Sequence, residues 1–164
     1  MRTRLSATIA DSAAALLLSL LIVGAAFAQA NTLEGAWSVT DTILSGCPTG
    51  DPVRTVHDLN LFMRGGTMVE TPATLGVGAP PLTRVGPGLG TWEHVSEHNF
   101  KEHFTFFRYD PTTDSFAGTM VVNKDIELSK DGDAFTSMGT VDIFDQNAKF
   151  ITTRCTTGSA TRNN

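Results

Sequence analysis

Between Glu93 and His103 the chain carries three adjacent acid–imidazole pairs, Glu93-His94, Glu97-His98 and Glu102-His103. Within them, His94-Val95-Ser96-Glu97-His98 spells H-x-x-E-H, a zinc-ligand spacing. That chemistry needs a helix, on which both histidines share one face and grip the metal while the glutamate acts on bound water. Here Gly90 precedes the motif, Asn99 interrupts it, and Phe100, Phe104 and Phe106 share the parity of a strand. The segment therefore reads as a β-hairpin with Glu97 and His98 at its tip, and no metal site is assigned.

Strand geometry offers these residues different work. With a three-residue loop, Trp92 faces Phe104 and His94 faces Glu102, with Phe106 and Arg108 further along the same face. His94, Glu102 and Arg108 then line an interior, where a histidine held by a carboxylate beside an arginine can orient or protonate an anionic or carbonyl-bearing ligand. Trp92, Phe104 and Phe106 supply the apolar wall of such a ligand site. With a two-residue loop, Trp92 and His94 instead share a face with Lys101 and His103. The sequence leaves both registers open, and a third arrangement puts all of these charges on a solvated outer face.

Other candidates carry less. His57 alternates with Leu59 and Leu61 and reads as a single inward-facing, satisfied histidine. Asp125 and Glu127 lie opposite Ile126 and Leu128, the pattern of a sheet's wet side. No Ser-His-Asp order, phosphate loop or cofactor fingerprint can be assembled, so no cofactor is expected.

The elements that must position these residues are strands. Gly35 to Ile43 is rich in β-branched residues, with Trp37 and Val39 on one face. Arg54 to Met63 alternates with Leu59, Leu61 and Met63 together, and Arg64-Gly65-Gly66 turns the chain into Thr67 to Thr71. Residues 72 to 90, rich in proline and glycine and almost uncharged, suit a long loop or lid. Strands follow at Gly90 to Val95, Phe100 to Tyr109, Phe116 to Leu128, Phe135 to Asp145 and Lys149 to Thr156, separated by turn formers such as Asp110-Pro111 and Lys130-Asp131-Gly132-Asp133. The tail from Gly158 is polar and reads as frayed. About eight strands in a meander predict an all-β protein, an antiparallel up-and-down barrel that closes to remove its edges. A β-sandwich has the same periodicity.

Before the barrel, Arg2 and Arg4, an apolar run from Ala13 to Phe27 and Ala28-Gln29-Ala30 have the form of a signal peptide cleaved before Asn31. Residues 1–30 are thus read as a leader and 31–164 as one domain, exported to the periplasm or the medium, with no integral membrane segment in the mature form. The net charge of −5, or −6 without Arg2, Arg4 and Asp11, disfavours nucleic acid as a partner. In an oxidising compartment Cys47 and Cys155 are expected to form a disulfide that closes most of the domain into one loop.

Leu33-Glu34-Gly35-Ala36-Trp37, opening the first strand, resembles the Leu-x-Gly-x-Trp start of the calycins, the group of lipocalins, fatty-acid-binding proteins and avidins. Gly88-Leu89-Gly90-Thr91-Trp92 repeats the flavour, and the strand number is that of calycins. The resemblance implies that Trp37 closes the barrel floor beneath an arginine of the last strand, for which Arg154 is the candidate. The chain also resembles small secreted bacterial proteins of an uncharacterised family, which implies no activity. The leading expectation is a non-enzymatic barrel holding a small apolar or amphipathic ligand, gated by the loop from Pro72 to Gly88. The alternatives are a cavity-shaping cyclase or isomerase of the allene oxide cyclase and dirigent type, using His94, Glu102 and Arg108, or a packed interaction module of the cell envelope. The oligomeric state is left open.

Overall fold

A computed structural model describes residues 31–72 and 84–163; the expected leader and most of the expected lid lie outside the described residues. The chain forms eight strands: β1 (Gly35–Leu44), β2 (Pro52–Met63), β3 (Thr67–Pro72), β4 (Arg84–Ser96), β5 (Asn99–Tyr109), β6 (Phe116–Leu128), β7 (Ala134–Phe144) and β8 (Phe150–Arg162). Each pairs antiparallel with its neighbour in sequence, and β1 pairs with β8, which closes an up-and-down barrel. Among the described residues there is no helix, and none that is long and apolar enough to cross a membrane.

The turns follow from local chemistry. Asp110 Oδ1 accepts from the amides of Thr112 and Thr113, 2.9 Å each, and fixes the β5–β6 reversal. Gly65 and Gly66 both take positive φ, the conformation the β2–β3 turn requires. The Cys47–Cys155 disulfide is present, joining the β1–β2 loop to β8.

Two boundaries and one strand's facing differ from the sequence reading. β4 begins at Arg84, so its Gly86-Pro87-Gly88 stretch is strand rather than loop. Glycine serves there because Gly88 faces Phe106 and Gly90 faces Phe104: a Cβ on Gly88 would come within 2.9 Å of both rings. The glycines of β4 are thus the bed on which the two phenylalanines of β5 lie. At the other edge, β8 runs on to Arg162 rather than ending at Thr156, with Trp37 opposite Arg162. Gly158, read as the start of a frayed tail, is instead a place where a side chain would collide with Asp41 and Ser137.

The third difference is the direction in which β2 faces. Leu59, Leu61 and Met63 point outward and are exposed, whereas Asp58, Asn60 and Phe62 are buried inside the barrel. His57 is outward as well, within hydrogen-bond reach (3.1 Å) of the Thr40 hydroxyl. Apolar alternation identifies the two faces of a strand but assigns the apolar one to the core only when the core is apolar, and this barrel's interior is not apolar throughout.

Candidate functional site

The barrel has two unlike ends. At the end that carries both described chain termini, Trp37, Phe62, Met68, Phe100, Ile126 and Phe135 are fully buried. Trp37 packs on Phe135 at 4.9 Å between ring centroids, Phe62 on Phe135 at 6.3 Å, and Trp92 on Phe62 and Phe100 at 6.1 and 6.0 Å. The Trp37 indole donates to the Leu33 carbonyl (2.8 Å), which draws the segment before β1 over the floor. Arg162 lies over the Trp37 ring, 4.2 Å from its centroid, and donates to the carbonyls of Gly132, Glu34 and Thr32 at 2.6–2.8 Å. The arginine of the last strand that covers Trp37 is therefore Arg162. Arg154 sits eight residues earlier on β8, at the opposite end, where it donates to the Ser45 carbonyl (2.8 Å).

From that opposite end a cavity of about 430 Å³ reaches into the barrel. Phe104, Phe106, Met120, Val122, Val141 and Ile143 form its apolar wall, and Arg54, Arg108 and Arg154 also line it. Its inner end is polar: Asp41 of β1, Asp58 of β2, Glu70 of β3, Lys124 of β6 and Thr156 of β8 line it as well. All five are buried. They form a waist between the aromatic floor and the apolar upper chamber.

The waist contains one tight ion-pair group. Lys124 Nζ lies 2.6 Å from Asp41 Oδ2 and 3.3 Å from Glu102 Oε1, with the Phe104 ring 5.5 Å away. Burial alone would lower the lysine's pKa, but the surrounding carboxylates Glu102, Asp41 and Glu70 outweigh it and hold the ammonium above its ordinary range. On the other side, Asp58 Oδ2 and Glu70 Oε2 are buried without a hydrogen-bond partner, as are both polar atoms of Asn60 and the Thr156 hydroxyl. Burial, and after it the charge of Asp41, pushes the Asp58 carboxyl up to about 7. Burial likewise raises Glu70 well above the carboxylate range, and raises Glu102 against the pull of Lys124. Oxygens of Asp41, Asp58 and Glu70 all lie within 4.8 Å of one another.

Of the residues singled out from sequence, Phe104 and Phe106 line the cavity, while Trp92 belongs to the aromatic floor, its indole donating to the Met63 carbonyl (3.0 Å). Neither expected register is found. Trp92 pairs with Glu102 and His94 with Phe100, two residues displaced from the three-residue-loop arrangement though with the same face inward. That displacement separates the three polar candidates. Glu102 is buried against Lys124, and Arg108 is buried and donates to the Phe144 carbonyl (3.1 Å) near the mouth. His94 is exposed, tilted against Phe100 at 4.8 Å and within 2.8 Å of the Glu97 carbonyl oxygen. The H-x-x-E-H residues thus occupy a hairpin tip, where Glu97 takes a positive φ of 42°. Asp125 and Glu127 face solvent.

Sequence reasoning missed Asp41, Asp58, Glu70 and Lys124. The signal was available in parity: Asp41 shares a face with Trp37 and Val39, and Lys124 with Val122 and Ile126. In comparison with known proteins, no family model matches the chain and no curated protein matches it significantly.

Proposed function

We propose that this protein is an exported, non-catalytic binding barrel that holds one small apolar or amphipathic molecule in the chamber above the polar waist. The observation that supports this most is the chamber itself: about 430 Å³, open at one end, walled by Phe104, Phe106, Met120, Val122 and Val141. That volume falls in the range of small-molecule sites, as does an apolar wall with a few convergent polar groups. The Cys47–Cys155 bridge fits residence in an oxidising compartment. The closed strand order and the Trp37–Arg162 stack fit the calycin-like reading.

The test is titration with the neutral fluorophore N-phenyl-1-naphthylamine, followed by displacement with C8 to C12 amphiphiles and native mass spectrometry of the protein as secreted. Saturable binding of one probe per chain, competed by the amphiphiles, is the expected result. Linear, non-saturating fluorescence together with a bare native mass overturns the proposal.

A second reading has one observation behind it. Outward-facing Leu61, Val69 and Leu89 stand side by side across β2, β3 and β4, and exposed Leu59 and Met63 flank them on β2, the type of surface an interaction module presents. Sedimentation velocity across a hundredfold concentration range, with Leu61→Lys as control, tests it; a monomer throughout argues against self-association through this face.

A further inference from the structure

We propose that the inner end of the cavity holds the protonated primary amine of an amphipathic ligand between Asp41, Asp58 and Glu70, while the ligand's hydrocarbon body lies along Phe104, Phe106 and Val122 toward the mouth. The inference rests on the ligand-binding reading above and adds the chemical class of the head group.

The first support is a charge imbalance built into the waist. Four buried carboxyl groups, Asp41, Asp58, Glu70 and Glu102, surround one buried cation, Lys124. Lys124 is held by Asp41 Oδ2 and Glu102 Oε1, which leaves one oxygen of each carboxyl group, Asp41 Oδ1, Asp58 Oδ2, Glu70 Oε2 and Glu102 Oε2, buried with no partner among the described residues. Buried oxygens of this kind are normally satisfied by a donor. An ammonium group has three donors and no acceptor, and Asp41, Asp58 and Glu70 each place one carboxylate oxygen within 4.8 Å of the others.

The second support is independent of the acids. Thr156, 2% exposed, lines the same cavity from β8, and its hydroxyl has no partner. Asn60, 1% exposed and directly opposite Glu70 in the β2–β3 register, is unpartnered at both its oxygen and its nitrogen. Neither is an acid; Thr156 stands unsatisfied in the cavity beside the acids, as a group around a missing polar ligand does, and Asn60, outside the cavity lining, is unsatisfied next to Glu70. Lys124 also shows the mode of recognition, since its ammonium is held by two carboxylates with an aromatic ring beside it.

An amine explains more of the chamber than a bare metal ion does. Calcium wants six to eight oxygens, and this site would have to collect them beside the ammonium of Lys124, 2.6 Å from Asp41. A bare ion also leaves the apolar wall without a purpose. An alkyl amine uses both, the head satisfying the waist and the chain burying apolar surface against the phenylalanines.

Burial and the neighbouring charges of Asp41 and Glu102 raise the carboxyls of Asp58 and Glu70, while Lys124, and at Asp58 also Arg54, opposes this. An arriving ammonium counters that rise, so binding expels protons.

Isothermal titration calorimetry of the full mature chain at pH 7.5, with octylamine, 1-octanol and octanoate in HEPES and in phosphate, tests the inference. Octylamine is expected to bind at least about tenfold more tightly than the other two and to release protons on binding, seen as a binding enthalpy that differs between the two buffers. In Asp58→Asn/Glu70→Gln, the amine should fall to the affinity of 1-octanol, whose own affinity is unchanged. Equal affinity for amine and alcohol in the native protein overturns the inference and leaves the binding-barrel reading standing; no binding by any of the three overturns both. An amine preference that survives in the double variant places the amine elsewhere and overturns it, as does displacement of octylamine by micromolar Ca²⁺, Mg²⁺ or Zn²⁺. Should the double variant fail to fold, the three head groups and the proton release on the native protein decide alone.

Discussion

The two ends of the barrel are stabilised by different physics. The floor is closed by packing, with five large side chains buried around Trp37, and by Arg162, whose guanidinium stacks on the indole and ties down three carbonyls. Among the described residues the mouth has no such cluster, and its tie is covalent, the Cys47–Cys155 bridge. Between them lies a waist of buried charge that contributes little favourable energy of its own, because removing four carboxyl groups from water costs more than one lysine returns. The difference teaches where stability resides: the floor folds the barrel, while the waist and mouth stay polar and hollow at some cost in stability, as the proposed binding site requires.

Breaking each end separately sharpens the contrast. Replacing both cysteines by serine frees a loop spanning 108 residues and should cost about 4–5 kcal/mol in the chain-entropy account, read by urea unfolding. Trp37→Ala at the floor should cost about 3–5 kcal/mol, whereas Phe106→Ala, which only enlarges an existing chamber, should cost less than half as much. Equal losses for the two would erase the distinction between a packed floor and a hollow mouth.

Much of this contrast was legible in the sequence, but unevenly. The strand count, the meander and the disulfide followed from alternation, turn formers and two cysteines, all local or pairwise signals, while the tryptophan floor was implied by the resemblance to calycins. What failed was the sign of polarity in β2. Leu59, Leu61 and Met63 were natural core residues, yet Asp58 and Asn60 occupy the interior, because the barrel's middle layer is charged and a strand crossing it must present polar groups inward. The identity of the arginine over Trp37 was missed for a related reason. Gly158 and its polar neighbours looked like a frayed end, but inward positions on β8 need to be small to make room for Asp41. The β4–β5 register rests on a two-residue displacement at the hairpin, which no local residue preference fixes.

The waist yields two smaller predictions. Lys124→Met strands Asp41 and Glu102 without their cation and should cost about 3 kcal/mol at pH 7.5, with the loss shrinking as the pH falls and Glu102, already raised by burial, takes up a proton. Asp58 has the opposite character. Its carboxyl is raised from 3.8 to about 7 in the folded chain, so the folded state binds more protons than the unfolded one between those values. Stability should therefore fall as the pH rises from about 4 to about 7. Asp58→Asn should flatten that slope and stabilise the protein by about 1–2 kcal/mol at pH 8, measured as a shift in melting temperature. A melting temperature that rises with pH across this range would show that the waist is not charged in the way described.

The most direct measurement of the central claim is a methyl-resolved NMR titration of the protein with a ten-carbon amphiphile. Binding in the chamber predicts saturable shifts at Met120, Val122, Val141 and Ile143, with Leu59, Leu61, Leu89 and Met138 on the outer face unmoved. Shifts confined to the outer methyls, or none at all up to millimolar ligand, would contradict it.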